Sequence, residues 1–191
     1  MAAAFPQATV ELWATDEHRI GVKPVRKRVW TLPGQRPLAP VEPRYHWRYL
    51  VAFVHPASGR TVWHLATEVR AEHFTVALAA FAQAVGAGPH KQLALVLDGA
   101  GWHTGHDVVV PDHVHLLVLP SHSPELQPCE HLWPFSDAPL GNRHFHDLEE
   151  LEAVQLARCA VLQERRDLLR STTLFPWWPK RIVKLRQQQR R

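Results

Sequence analysis

The chain has 191 residues, which suits one domain of ordinary size with a real core and is too short for two well-formed domains. Its 46% hydrophobic and 21% charged residues are typical of a globular protein, and no apolar run approaches the roughly 20 residues of a membrane span. Two cysteines exclude a disulfide framework, and the net charge of +4 only mildly favours polyanionic partners.

Three strands are predicted in the first third of the chain. VELWAT at 10–15 has the alternation and composition of a strand, and it would place Asp16 at its end. A proline-rich loop follows at 31–44. The segments 46–55 and 60–69 are then separated by the turn residues PASG, so we expect them to pair as an antiparallel hairpin.

Helices and buried strands are predicted for the remainder. Residues 71–88 carry large apolar side chains at helical spacing and end in glycine, which predicts a capped helix. The apolar runs 92–98 and 115–120 are typical of strands buried on both faces, so both should be central. A long helix should follow the N-cap Asp147. Its predicted buried stripe consists of Leu148, Leu151, Val154 and Val161.

This order of elements predicts a mixed five-stranded α/β sheet, in which an antiparallel meander is followed by parallel strands. Acidic residues stand where two of these strands should end. Asp98 lies between a buried strand and the small residues of a turn, where either a turn-capping role or a bound cation would offset its desolvation. Asp16 holds a similar position. Two neighbouring carboxylates repel unless a cation lies between them, and oxygen ligands suit Mg²⁺ or Mn²⁺ better than zinc.

Glu130 is the best candidate for a third carboxylate. In SPELQPCEHLW, Pro128 fits the first position of a helix, which places Glu130 in the first turn. An acid there also simply complements the helix dipole, so the position alone does not require a ligand role.

Positive charge gathers in two places, and both are predicted to contact phosphate. One group follows the first strand: Lys23, Arg26, Lys27 and Arg28. The other, near the C-terminus, includes Lys180, Arg181, Lys184 and Arg186. The alternative interpretation is a solvated loop and a frayed tail.

Four segments together resemble the DDE transposases of bacterial insertion sequences related to the Tc/mariner superfamily. They are VELWATDEHRIG, VWTLPGQRP, LVLDGAGWH and LPSHSPELQPCEHLW, in the family's order over residues 9 to 155. The resemblance implies a ribonuclease H-like fold, with an N-terminal extension at 1–8, a DDE catalytic domain at 9–170 and a basic tail at 171–191.

The family's acids fall on Asp16, Asp98 and Glu130, which the resemblance makes both catalytic residues and metal ligands. Glu17 competes with Asp16 for the first position, although it should lie on the opposite face of the strand. His103 matches the family's histidine, which could orient a phosphate or the acid, while a packing or solvent-facing role is the alternative.

The implied activity is cleavage and strand transfer of DNA during transposition, with two Mg²⁺ or Mn²⁺ ions. The implied partners are transposon-end and target DNA, a second copy in a homodimeric synaptic complex, and a separately encoded helix-turn-helix subunit, because full-length relatives carry such modules upstream. No secretory signal opens the sequence, so a bacterial cytoplasmic, nucleoid-associated location is expected.

Departures from the family pattern leave other functions open. The segment SHSPELQP, which precedes the third acid, differs from the family's usual sequence there. Within it, Gln127 stands where Asn, a better capping residue, is usual. The main alternative is therefore a truncated, inactive remnant that folds and binds DNA. A ribonuclease H or other nuclease on the same fold is an enzymatic alternative. A zinc hydrolase would use the paired histidines His113 with His115, or His144 with His146.

Overall fold

The computed structural model describes residues 4–36, 38, 45–121 and 123–179. It contains a mixed sheet of five strands in the order β3-β2-β1-β4-β5. The strands are β1 Thr9–Gly21, β2 Trp47–His55, β3 Arg60–Ala66, β4 Lys91–Leu97 and β5 Val114–Val118. The first three pair antiparallel, whereas β4 pairs parallel to both β1 and β5. The predicted α/β class and the order of the meander and the parallel strands are confirmed.

Helices cover both faces of this sheet. They are α1 Ala71–Val85, α2 Gly101–Thr104, α3 Trp133–Ser136, α4 Leu148–Glu164 and α5 Arg166–Thr173. Three short 3-10 turns lie between β5 and α4: Pro124–Leu126, Pro128–His131 and Ala138–Leu140. The predicted glycine cap of α1 is confirmed at Gly86, whose φ of 72° lies in the left-handed region that favours glycine.

The strand β1 is longer than the sequence predicted. It continues through Asp16 to Gly21, so Asp16 is an internal residue of the strand and not its last one. The physical reason is that β1 changes partners along its length: residues up to Ala14 pair with β4, and residues from Ala14 onward pair with β2. The charged side chains after Asp16 concealed this second half of the strand.

Two other predictions about burial were wrong. The strand β5 was expected to be central but lies at the edge of the sheet, where most of its residues are only half-buried. In α4, Val161 is 50% exposed. The buried residues of that helix are Leu151, Gln155, Cys159 and Leu162. A buried glutamine interrupts the apolar pattern, which is why the wrong stripe was predicted.

Alternate side chains of β1 enter two separate cores. Trp13 packs with α1, Leu95 and Leu97 on one face of the sheet. Leu12 and Ala14 pack on the other face, with α4, α5 and the turn Pro128–His131. Asp16 therefore points to the second face and Glu17 to the first, as the alternation of a strand requires.

The packed part of the chain reaches Trp178, which is buried in the core beside α5. Thr173 and Trp178 thus lie within the segment that the sequence predicted as a basic tail. Within the described ranges, no helix is both long enough and apolar enough to cross a membrane.

Candidate active site

The register of β1 on β4 brings Asp16 next to Asp98. Ala14 pairs with Val96 in the parallel ladder, and each aspartate lies two residues further along its own chain. Because strand residues advance in step, both carboxylates reach the same level of the sheet. The predicted proximity of the two aspartates is therefore explained by register, although Asp16 does not end its strand.

One cavity joins these two aspartates to Glu130. It has a volume of about 380 Å³, and Asp16, Asp98 and Glu130 all contribute to its lining, together with Gly99 and Ala100. The carboxylates come from β1, from the end of β4 and from the 3-10 turn Pro128–His131, here named the Glu130 turn. No lysine, arginine or histidine is among the described residues that line the cavity. Among these described lining residues, the three carboxylates are therefore the ionisable groups.

The electrostatics of Asp16 reflect this crowding of carboxylates. Burial is the largest cause that raises the pKa of Asp16, and the charges of Glu17, Glu130 and Asp98 raise it further, to about 7. The backbone N–H of Glu17 donates to Oδ1 of Asp16 at 2.9 Å and opposes the rise. A cation in the cavity would relieve the repulsion that these charges produce.

Asp98 is fastened by the short helix that follows it. Its Oδ1 accepts hydrogen bonds from the backbone N–H of Ala100 at 3.1 Å and from Nδ1 of His103 at 2.7 Å. The other ring nitrogen of His103 lies 2.8 Å from Oε1 of Glu17. Burial alone would lower the pKa of His103, but hydrogen bonding and the charges of Glu17 and Asp98 raise it. His103 thus lies between two carboxylates and does not face solvent.

The Glu130 turn is tied to β1 by a residue whose role the sequence did not predict. The buried Gln127 donates from its side chain to the backbone carbonyl of Thr15 at 2.9 Å. Its side-chain oxygen accepts from the backbone N–H of Cys129 at 3.4 Å, which caps the turn. Glutamine therefore performs the capping expected of asparagine and also reaches the residue before Asp16.

The three carboxylates line one cavity but are not arranged around a single ion position. In the described part of the chain, no three His, Cys, Asp or Glu side chains are spaced to hold one ion. Glu130 is exposed, as is Asp98. The chemistry of the donors nevertheless fits Mg²⁺ or Mn²⁺, because carboxylate oxygens are the ligands that such hard cations prefer and three carboxylates line the cavity.

The basic residues that follow β1 are all exposed. Their segment lies against the loop after α3, where the amide of Asn142 pairs with the backbone of Lys27. Lys27 also donates from Nζ to the carbonyl of Asp137 at 3.1 Å, and Lys23 lies over the ring of Tyr45. Arg26 and Arg28 are exposed as well. The other predicted group lies outside the described residues: Lys180, Arg181, Lys184 and Arg186.

The paired histidines that suggested zinc have other roles. His113 and His115 both contact the side chain of Gln92, at 3.0 and 2.9 Å. The rings of His144 and His146 lie edge to face, 5.4 Å apart. His113 and His115 thus lie at the β4–β5 edge, and His144 and His146 lie in the loop before α4. None of the four lines the cavity of the three acids.

Comparison with protein families identifies the same part of the chain as the motifs do. The sequence model of the DDE superfamily endonucleases matches residues 11–152, which include all three carboxylates. An uncharacterized protein of Sinorhizobium fredii, y4pE/y4sA, is 37% identical over 110 residues, covering 55% of this chain and 77% of that relative.

The fold is similar to that of solved Mos1 transposase structures. The pre-cleavage Mos1 transpososome has a TM-score of 0.57 at 17% identity, over 89% of this chain and 57% of that one. The Mos1 mariner paired end complex with Mn has a TM-score of 0.57 at 19% identity, over 85% and 55%. The chain thus spans little more than half the length of these proteins. The predicted ribonuclease H-like fold is confirmed.

Proposed function

We propose that this chain, which belongs to the DDE superfamily endonuclease family, is the catalytic domain of a DNA transposase. The observation that carries the proposal is the convergence of Asp16, Asp98 and Glu130 on one cavity. The reaction would be cleavage of a DNA phosphodiester bond, followed by attack of the liberated 3′-hydroxyl on target DNA. Both steps are in-line displacements at phosphorus, which need no covalent intermediate with the protein.

Asp16, Asp98 and Glu130 would hold two Mg²⁺ or Mn²⁺ ions. Such ions, when bound, activate the attacking oxygen and stabilise the leaving oxygen. The chain supplies the positions of the ligands: Asp16 lies half-buried on β1, and Asp98 is oriented by the hydrogen bonds on its Oδ1. Gly99, which has no side chain, and Ala100 line the cavity beside Asp98, and their small size would leave space for a phosphate backbone.

DNA is the proposed substrate and partner. The exposed cluster of Lys23, Arg26, Lys27 and Arg28 would contact phosphates, and the C-terminal basic residues would add to this contact. The Mos1 structures include a paired-end complex with the left transposon end and a strand transfer complex. By analogy, we propose that this chain acts on element ends as a homodimer, with a separately encoded helix-turn-helix subunit, at the bacterial nucleoid.

A catalytically inactive DNA-binding fold is the second candidate. It is favoured by the spacing of the acids, since no three of them in the described residues are close enough to hold one ion, and by the exposure of Glu130. In that case the carboxylates would be remnants of a site, and only the basic residues would act.

A nicking assay separates the two candidates. Element-end DNA, the helix-turn-helix module and Mg²⁺ or Mn²⁺ would be supplied to the wild type and to Asp98→Asn. Cleavage by the wild type and its loss in the variant support the transposase. Absence of cleavage in both chains supports the inactive fold, and equal cleavage by both would overturn the assignment of Asp98 as a catalytic residue. Preferential cleavage of RNA:DNA hybrids would indicate a ribonuclease H activity instead.

A further inference from the structure

His103 connects two carboxylates that belong to different strands of the sheet. Its Nδ1 lies 2.7 Å from Oδ1 of Asp98, and its Nε2 lies 2.8 Å from Oε1 of Glu17. A carboxylate oxygen accepts hydrogen bonds, so each ring nitrogen is placed to donate. The imidazole therefore spans the distance between the end of β4 and the middle of β1, and its position fixes the two carboxylates relative to each other.

Burial makes this connection rigid at one end. The side chain of His103 is 0% exposed and that of Glu17 is 8% exposed, whereas that of Asp98 is 54% exposed. The ring of Phe74 on α1 packs against His103, with centroids 4.5 Å apart. Glu17 and His103 are therefore held by the core, while Asp98 extends from them toward the cavity and solvent.

The hydrogen bonds on Asp98 select one of its oxygens. The backbone N–H of Ala100 and the ring of His103 both reach Oδ1. In the proposed site, Oδ2 is then the oxygen that would bind a cation. Hydrogen-bonding partners behind a metal ligand generally orient that ligand and tune its affinity for the ion, and their loss weakens metal binding.

Glu17 is engaged elsewhere than in the cavity of the three acids. Its Oε1 meets His103, and its Oε2 lies 3.5 Å from Nε1 of Trp102. It lines a neighbouring cavity on the α1 face of the sheet and not the one that contains Glu130. Asp16 and Asp98 line both cavities. Both oxygens of Glu17 are thus engaged by residues of α2.

We propose that Glu17 and His103 are positioning residues, which fasten Asp98 in the orientation that binds a divalent cation, and that Glu17 is not itself a ligand. This inference rests on the proposed function, in which Asp98 is a cation ligand. It assigns the first position of the site to Asp16, and it gives the adjacent acid a separate purpose, exerted only through His103.

The test measures Mn²⁺ affinity of the whole chain by electron paramagnetic resonance, without DNA and without turnover. Glu17→Ala and His103→Ala should each weaken Mn²⁺ binding about 10-fold or more, as expected for residues behind a ligand. Because Glu17 acts through His103, the double variant should bind no more weakly than His103→Ala alone. His115→Gln, which changes a histidine at the β4–β5 edge, is the matched control and should bind as the wild type does.

Glu17→Gln provides a milder variant in case the alanine variants do not fold. Its amide oxygen still accepts from His103, so it should keep most of the affinity that Asp16→Asn loses. Three results would overturn the positioning role. They are losses of Mn²⁺ affinity that add up in the double variant, unchanged affinity in both single alanine variants, and equal losses of affinity in Glu17→Gln and Asp16→Asn. Unchanged Mn²⁺ binding in Asp98→Asn would instead overturn the site of the proposed function, so the two failures are distinguishable.

Discussion

Asp98 and Glu130 line the same cavity from different elements, and the protein supports them in different ways. The side chain of Asp98 is itself held, because Oδ1 accepts from Ala100 and His103. Glu130 is held through its backbone, since Gln127 ties the Glu130 turn to the carbonyl of Thr15 while the glutamate side chain extends into solvent. The Asp98 side is therefore preorganised, and the Glu130 side can still adjust to a bound cation.

The two supports also differ in where their partners lie along the chain. Asp98 receives its hydrogen bonds from residues two and five positions later, within one motif. The partner of Gln127 is 112 positions away, on β1. Local support depends on a short loop, whereas distant support depends on correct docking of the Glu130 turn onto the sheet.

The largest effect is expected from removing the carboxylates themselves. Asp16→Asn, Asp98→Asn and Glu130→Gln should each reduce metal-dependent cleavage by more than about 100-fold, since loss of a ligand should exceed the loss of a residue behind it. The measurement is the initial rate of nicking of element-end DNA. Glu125→Gln, an exposed acid in the preceding turn, is the control. If Glu130→Gln alone cleaves at a near-normal rate, Glu130 is not required and the working site consists of the two aspartates.

A smaller loss is expected when the tether of the Glu130 turn is removed. Gln127→Ala leaves the buried carbonyl of Thr15 without its donor, which should lower the free energy of unfolding by about 1 to 3 kcal/mol. Cleavage should fall roughly 10-fold or more, because Glu130 is displaced. Urea unfolding and nicking rates measure the two effects.

Gln127→Asn separates the tether from the cap. Asparagine is one methylene shorter, so it can still accept from Cys129 but should not reach Thr15. If the tether positions Glu130, this variant should lose cleavage much as Gln127→Ala does while it keeps more stability. Full activity in Gln127→Asn would show that the cap suffices.

The same contrast explains how far the sequence could predict the site. Asp98 and Glu130 stand in short strings of recognisable type, so their places after β4 and in a first turn could be predicted from the residues around them. The partner of His103 on β1 could not, because Glu17 lies 86 positions earlier and no local pattern links them. The tether from Gln127 was missed for the same reason.

The fold was predicted well where a continuous apolar run coincides with burial, as in β2 and β4. It was predicted less well where charge conceals structure. In the second half of β1, the charged residues Glu17 and Arg19 alternate with His18 and Ile20, and only pairing with β2 identifies them as strand. The position of β5 at the sheet edge depends on what lies beyond it, which its own apolar composition does not reveal.

Metal binding should stabilise the fold by a moderate amount. The charges around Asp16 repel one another in the metal-free chain, so Mn²⁺ or Mg²⁺ should raise the melting temperature. At an ion concentration about 100 times the dissociation constant, linkage predicts about 2.7 kcal/mol. For a domain of this size, that corresponds to a rise of roughly 5 to 10 °C. Asp98→Asn should show little rise with metal, and an equal rise in both chains would indicate binding elsewhere.

The smallest expected effect concerns the thiol beneath the Glu130 turn. Cys129 is fully buried, its Sγ lies 3.6 Å from the carbonyl of Ala52, and burial raises the pKa of its thiol well above the ordinary value. Native protein should therefore react very slowly with iodoacetamide. Gln127→Ala should speed the labelling of Cys129 but not that of Cys159 on α4, because only the turn is loosened. Equal acceleration of both thiols would indicate global unfolding.

The central claim is that Asp16, Asp98 and Glu130 form a divalent-cation site in which Glu17 takes no direct part. A crystal soaked in Mn²⁺, with data collected at the manganese absorption edge, tests this most directly, because the anomalous signal locates the ions independently of the protein coordinates. We expect manganese bonded to Asp16 and to Oδ2 of Asp98, with Glu130 drawn toward it and Glu17 still on His103. Manganese bonded to Glu17, or no manganese in the cavity at saturating concentration, would contradict the account.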